Sequence, residues 1–536
     1  MLNKTVILLL LAAVFTWAAS TGAEEFNPVW GAGDLSGVQS FQAPQKIVGT
    51  HYFYWYDYPD YHFYDNAART DDSLQDHFPN PEAVSFNSIE WHAQQLQDCV
   101  DAGLDFILPV YGGVVDNYFQ HGIDFSVRGL GPLQTAIERR AREGKPSPKI
   151  GLFYDTSTLL PGIRGVAGRG ERYDLTQPEG KDIFYRTIRD FFYQIHPRHW
   201  AAIDGRPLVV LYASAFAARH DQSTLDYVYQ QFAKDFHGLR PYVIKDKSWN
   251  FNADATTQWG AALTGPNIFG AVAQIGPGYI DAAVPGRTTP VRHREDGNFY
   301  RWSWNKVLDS NARIVLVETW SEMHEGTDIC ESREYGRLYI DLTREYGRKF
   351  KQNEKSSETI ELKYPDLLPP PPSTEGSEYE SARAVRITLG EGGVSEGIKL
   401  VRGNEDGPVE NATLGDQHCV RTIQSGHTYM YFSVADPFFF DGSEPLVLEY
   451  TYWDEGHQQH ALEYDSHDKN AALQGAYKGT SLVTCGNTKK WVTRKIPLRD
   501  ARFVNRENRG ADFRFSVNDG WLAIKDVTVT KQSSVE

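Results

Sequence analysis

The feature that most limits what this chain can fold into is a rhythm in its first 350 residues. Short apolar runs alternate with amphipathic helical patterns. The runs are "KIVGTHYFYWY" (46–56), "DFILPVYGG" (105–113), "KIGLFYD" (149–155), "PLVVLYA" (207–213), "PYVIKD" (241–246), "IFGAVAQIG" (268–276) and "ARIVLVETW" (312–320). Between them stand helix candidates. In "SIEWHAQQLQDCVDAG", Ser88 is placed to cap, Ile89, Leu96 and Val100 help build an apolar stripe, and Gly103 stops the helix. "KDIFYRTIRDFFYQIH", "TLDYVYQQFAKDFHG" and "YGRLYIDLTREYGRKF" follow the same pattern. Strands apolar on both faces, separated by helices, predict a parallel α/β sheet. A span of about 330 residues fits a (β/α)₈ barrel with long loops. Seven strands are visible and the eighth is not. An open doubly wound sheet is the alternative, but no Gly-rich phosphate loop opens any of these helices.

Residues 351–380 break the rhythm with four consecutive prolines, 369–372, in an acidic, Ser-rich setting. Such a run favours extended polyproline II and reads as a linker, placed at 356–378. The barrel is therefore expected over 24–355. Beyond the linker, over 379–536, runs such as "TYMYFSVAD", "LVLEYTYWD" and "DFRFSVND" are short, β-rich and bounded by Gly, Asn and Asp. They predict an antiparallel β-sandwich or jelly roll, read as a carbohydrate-binding module. The first 23 residues have the layout of a secretory signal peptide: an early lysine, an apolar stretch and small residues up to Ala23. A secreted or periplasmic protein without a transmembrane segment is expected.

A net charge of −16 argues against nucleic acid as a partner. Aromatics make up 13% of the chain, including 13 Trp and 29 Tyr, and suit stacking against sugars. The four cysteines match no zinc spacing; Cys419 and Cys485 are the pair placed to bond in an oxidising compartment. No cofactor is required by any motif. "DSHDKN" (465–470) carries a faint calcium-loop character, and a polar hairpin loop explains it as well.

In a barrel the chemistry stands where strands end. There the sequence sets His51, Tyr52, Tyr54, Trp55, Tyr111, Asp155 and Trp320, with Trp249 in a following loop, as a sugar-binding rim. Glu322 and Glu325, three apart after the last run, face one side if the loop bends into a turn. Two carboxylates in a partly dry site cannot both ionise easily, which yields the acid and base that glycosidic cleavage requires. A helix-capping role for the same acids stays open. His324 lacks a second ligand at metal spacing and is read as a hydrogen-bonding residue.

Ser321-Glu322-Met323-His324-Glu325-Gly326-Thr327 resembles the "N-E-W-x-E-G-T" loop of glycoside hydrolase family 99, the endo-α-mannosidases and endo-α-mannanases. The first strand "GTHYFYWYD" is similar to that group's aromatic opening strand. The whole plan looks like the bacterial family named domain of unknown function 5010, over roughly residues 45–350. The resemblance implies a retaining endo-glycosidase, with Glu325 as general acid/base and Glu322 as a base that activates the sugar's own 2-hydroxyl. Ser321 and Met323 replace the family's Asn and Trp, and the first strand lacks its usual proline. Those departures put mannose specificity in question. Two rival readings remain: a non-catalytic glycan-binding or scaffold protein, and a polysaccharide lyase using Lys245 or His51.

Overall fold

The computed structural model describes residues 30–532, apart from 61, 65–72, 74–75, 114–123, 160–171, 282–283, 285–289, 370–371, 404–405, 424–427 and 519. The expected signal peptide lies outside the described residues. No helix among them is long and apolar enough to cross a membrane.

Eight parallel strands succeed one another around a nearly closed barrel of the TIM type. They are β1 (Ile47–Tyr52), β2 (Phe106–Tyr111), β3 (Lys149–Ile150 and Leu152–Tyr154), β4 (Arg206–Leu211), β5 (Tyr242–Asp246), β6 (Ala255–Thr257), β7 (Val272–Ile275) and β8 (Ile314–Val317). Ladders run from β6 through β5, β4, β3, β2 and β1 to β8 and β7. Between β6 and β7 the join is made by side chains: the Thr257 hydroxyl bonds to the Gln274 carbonyl oxygen, and Asn267 Nδ2 donates to the Gln258 carbonyl at 3.0 Å. The missing eighth strand is thus β6. It has three residues, follows β5 without an intervening helix, and only Thr257 of it is buried. A stretch that short and that polar gives no hydrophobic signal.

Outside the barrel pack α1 (Ile89–Asp101), α2 (Leu130–Arg142), α3 (Pro178–Gln194), α4 (Gln222–Asp235), a short α5 (Ala261–Thr264), α6 (Asn298–Leu308) and α7 (Leu338–Lys351). Ser88 caps α1 through Trp91 N, as the sequence predicts. β1 is buried along its whole length, and successive side chains alternate between axis and helices. His51 faces the axis, against Phe153 and Trp259. Tyr52 faces α1, stacked on Trp91 with its hydroxyl bonded to His92 Nδ1 at 2.9 Å. Gly49 shares the parity of His51, and a Cβ there would lie 2.2 Å from the Phe106 ring.

The expected linker is not free at its start. Ser356 bonds to Asp309, and Glu295 accepts from the backbone of Lys363 and Tyr364. Val291 and Leu368 exchange backbone bonds. The barrel's contacts therefore run past 355 to Leu368, because buried Arg292 and Glu295 take their partners from this strap. The C-terminal region has its own core, separate from that of the barrel. One antiparallel sheet is built on Ala523–Lys531 and the other on Phe513–Asn518. Cys419 and Cys485, the pair placed to bond, are buried free thiols.

Gly49→Ala should lose about 1–3 kcal/mol of stability, the cost of overpacking a filled core. Phe106→Leu in the same background should recover part of it. Urea unfolding of the three proteins measures this, and an unchanged midpoint for Gly49→Ala would contradict the packing described.

Candidate active site

The chain leaves β8 at Glu318 and runs beside the continuation of β1. Trp320 N donates to the His51 carbonyl at 2.7 Å, the Ser321 hydroxyl bonds to the Phe53 carbonyl, and Met323 N donates to the Tyr56 hydroxyl at 3.0 Å. Two strand ends thus hold the segment between them. It then bends sharply: Gly326 N bonds back to Met323 O, and Thr327 N to Glu322 O, both at 3.1 Å. Gly326 sits at φ +55°, and a Cβ there would press to 2.7 Å from Ile280 Cγ2. The loop turns rather than continuing as strand, the geometry that brings residues three apart to one side.

The two glutamates end in different surroundings. Glu322 is buried, and its Oε1 accepts the His324 N–H at 3.2 Å. Burial, and then the nearby Glu322 carboxylate, hold the Tyr56 hydroxyl well above its ordinary pKa, so it keeps its proton. Glu325 is only half-buried. One carboxylate is enclosed and the other half-exposed. His324 packs edge-on against Tyr56 and His62, with centroids 5.5 and 4.9 Å away. Trp55 stands half-buried against His62 and Phe125.

Behind the turn lies a charge network that the sequence did not reveal. Arg294 Nη2 donates to the Gly326 carbonyl at 3.0 Å, to Asp76 Oδ2 at 2.6 Å and to Asp328 Oδ1 at 3.0 Å. Its guanidinium lies over the rings of Tyr335 and Tyr339. All three charged side chains are buried, Asp76 completely. Burial first, and then repulsion from Asp76, push the Asp328 carboxyl well above the usual range, with a hydrogen bond between the two acids adding to the effect. One shared proton leaves the group near neutrality. Two carboxylates and one guanidinium without it would carry an unpaired buried charge, at a cost of several kcal/mol.

At the barrel mouth a second set of buried acids fixes the loop after β6. Asp246 Oδ2 accepts the Trp259 N–H at 3.1 Å. Glu318 accepts from Gly260 N and Ala262 N, each at 2.9 Å, and from Gln274 Nε2 at 2.5 Å. Burial raises the Glu318 carboxyl to about 7 despite those donors. Trp259 is thereby presented half-buried, stacked on Phe153 at 5.3 Å and edge-on to Tyr212. Below it, burial brings His51 down to about 4, so the ring is neutral. Its Nδ1 donates to the Val317 carbonyl at 3.1 Å, which leaves the Nε2 lone pair without a protein partner among the described residues.

The structure divides the residues expected at the rim. Glu322, His324 and Glu325 share the turn, Trp55 meets His324 through His62, and His51 faces the barrel axis. Tyr52, Tyr54, Tyr111 and Trp320 are buried instead. The Tyr54 hydroxyl bonds to Ser126 O, Tyr111 packs edge-on against Phe191 of α3, and Trp320 Nε1 donates to Gln95 on α1. Trp249 is also buried, with Nε1 on the Tyr212 carbonyl at 2.6 Å. Strand parity sends Tyr52 and Tyr111 toward the helices, while Tyr54, Trp249 and Trp320 are buried beyond the strand ends; aromatic character alone reports neither. Asp155 caps the following turn through Ser157. Lys245 Nζ is held by the Trp249 carbonyl at 2.6 Å. Ser321 and Met323 are buried and shape the turn, so the departures from the family loop fall inside the protein. In "DSHDKN", Asp465 is paired with Arg506 and Asp468 with Lys478. No group of residues among those described is arranged to hold a metal ion.

A family model described as "Domain of unknown function (DUF5010)" matches residues 31–362. A glycoprotein endo-alpha-1,2-mannosidase-like protein of Mus musculus is 23% identical over 313 residues, covering 53% of this chain and 63% of that protein. Its counterpart in Danio rerio is 30% identical over 130 residues, covering 23% and 27%. The chain thus spans less than two thirds of the length of these curated relatives. A GH99 endo-alpha-mannosidase structure from Bacteroides thetaiotaomicron aligns at 16% identity and a TM-score of 0.41, covering 58% of this chain and 98% of that one.

The Glu318 carboxyl gives a pH prediction. Its folded pKa of about 7 lies above the ordinary 4.5, so its contribution to stability is complete below pH 4.5 and is lost as the pH rises through about 7. The stability of the wild type relative to Glu318→Gln should fall by about 3 kcal/mol across that window and be flat above it. Denaturant melts at a series of pH values measure the difference. A constant difference would contradict a carboxyl whose burial outweighs its hydrogen-bond donors.

Proposed function

The chain belongs to the DUF5010 family, and on that footing we propose that it is a secreted glycoside hydrolase, endo-acting and retaining, on a poly- or oligosaccharide. The observation that carries the reading is the Glu322–Glu325 turn. Two carboxylates, one enclosed and one half-exposed, stand on a tightly held bend at the C-terminal end of β8, where barrels of this kind place their chemistry. The relatives described as endo-alpha-1,2-mannosidases supply the substrate class in outline. Export rests on the leader-like first 23 residues.

In this reading Glu325 protonates the glycosidic oxygen as the bond to the anomeric carbon breaks. Glu322 takes the proton of the sugar's 2-hydroxyl, whose oxygen closes onto the anomeric carbon from the opposite face. Water, deprotonated by Glu325, then opens that bond, and Glu322 returns the proton to the 2-oxygen. Two inversions at one carbon give net retention. A neutral His51, with its lone pair toward the barrel interior, supplies an acceptor and no competing positive charge.

Glu325→Gln and Glu322→Gln should each keep glycan binding and lose turnover by roughly 10²–10⁴-fold, the usual worth of a general acid or base. Proton NMR in the first minutes of reaction should show a product with the anomeric configuration of the bond cleaved. Near-normal turnover in either variant would remove that glutamate from the mechanism. An inverted first product would remove the pairing of the two.

A further inference from the structure

A separate cavity of about 440 Å³ lies in the C-terminal region, within the roughly 300–1,000 Å³ range of small-ligand sites. It opens between the 373–379 segment and the outer face of the sheet that carries Ile398–Val401 and Thr428–Val434. Along Thr428–Val434, Met430, Phe432 and Val434 enter the core and Ser433 faces outward. Gly376, Gly397 and Gly510 are among the residues that line it. At Gly397, with φ +81°, a Cβ would come within 2.4 Å of Val385 Cγ1 and 3.2 Å of the Tyr379 ring.

The chemistry of the walls is specific. The Tyr379 ring, half-buried, supplies a flat apolar surface. Asp436, 8% exposed, supplies a carboxylate whose orientation is set from behind. Asn505 Nδ2 donates to both of its oxygens, at 3.0 and 2.9 Å, and Ser373 N to Oδ2 at 2.5 Å. A carboxylate has about four acceptor positions, so capacity remains for hydroxyl donors from a ligand. On the rim, Lys399 is paired with Glu375 at 2.6 Å. Adding Glu378 and Asp436, the walls carry three acids against one lysine. Such a surface repels anionic ligands and favours neutral ones rich in hydroxyl groups.

We infer that this cavity binds a neutral pyranose unit of a glycan, stacked on Tyr379 and hydrogen-bonded through hydroxyls to Asp436 and Asn505. The site is independent of the barrel, and its function does not require the barrel to be catalytic. The arrangement gives the chain a second hold on a polymer, which raises the local concentration of substrate without any new contact at the barrel.

The test uses full-length protein carrying Glu325→Gln, so that no glycan is consumed. It is run on native gels containing soluble α-mannan, mixed-linkage β-glucan, arabinoxylan or polygalacturonate. At least one neutral glycan should retard the protein, and polygalacturonate should not. Adding Tyr379→Ala or Asp436→Ala should weaken that retardation by about tenfold, the worth of one stacking surface or of one or two polar contacts. Asp436→Asn, which keeps the size and removes the carboxylate, serves if Asp436→Ala fails to fold. With Glu325 intact, the same variants should turn over short oligosaccharides at the unaltered rate, which separates this site from the barrel. No retardation by any neutral glycan, retardation by polygalacturonate alone, or retardation undiminished in both variants would overturn the proposal. Retardation abolished by EDTA and restored by calcium would make the cavity a cation site and overturn it equally.

Discussion

The arrangement at the barrel mouth depends on one buried cation. Arg294 grips the Glu325–Gly326 bend through the Gly326 carbonyl while also joining two acids far apart in the chain, Asp76 and Asp328. Burial alone would lower its pKa; the two aspartates more than offset that, and the guanidinium stays charged. Replacing a whole buried ionic network of this kind with apolar side chains of similar size is often neutral for stability, although removing Arg294 alone would strand two buried acids. Position is a different matter. A guanidinium can bond in several directions at once within a plane, whereas a hydrophobic side chain would leave the Gly326 carbonyl free to move. The network is thus better understood as fixing where Glu325 stands than as holding the fold together.

The same device appears a second time. Asp246 and Glu318 hold backbone N–H groups of the loop that presents Trp259, just as Arg294 holds a carbonyl of the loop that presents Glu325. Glu318 takes its two backbone donors at the start of the short helix α5, and the Gly326 carbonyl held by Arg294 lies in a tight turn. Buried ionisable groups replace hydrophobic packing there, at the ends of strands whose own side chains face the core. The result is a mouth with rigid walls: a stacked pair of rings, Trp259 on Phe153, a neutral imidazole beneath, and two carboxylates of unequal exposure at one edge.

Much of this was legible in the chain because the physics behind it is local. Apolar runs separated by amphipathic helices prescribe a parallel sheet, and seven of the eight strands carry that mark. β6 does not, because Ala255–Thr257 is joined to its neighbours mainly by its backbone and by one threonine hydroxyl. The turn was legible too, since Gly326 between Glu325 and Thr327 is where a chain can reverse. What the sequence could not convey was direction. Tyr52 and His51 are adjacent and both polar-tipped, yet one packs on a helix and the other faces the axis. Trp249 and Trp259 look alike in the sequence, but the first is buried among Phe184, His220 and Phe251 and the second meets the mouth. Arg294 and Asp76 are 218 residues apart, and no local pattern marks such a pairing. The strap at 356–368 misled for a similar reason: its composition is that of a linker, while its backbone supplies the partners of Arg292 and Glu295.

The central claim is that Glu325 and Glu322 do different work on one turn, and a leaving group that needs no proton separates them. The measurement is turnover of the glycosyl fluoride of whichever sugar the wild type releases, by Glu325→Gln and by Glu322→Gln. Fluoride departs without general-acid help, so Glu325→Gln should release fluoride in a first-turnover burst, and go on releasing it when azide replaces the water that Glu325 would deprotonate, while failing on the natural linkage. Glu322→Gln should fail on both, because the 2-hydroxyl attack is still required. Equal loss on the fluoride in both variants, or activity on it in Glu322→Gln, would contradict the division of roles.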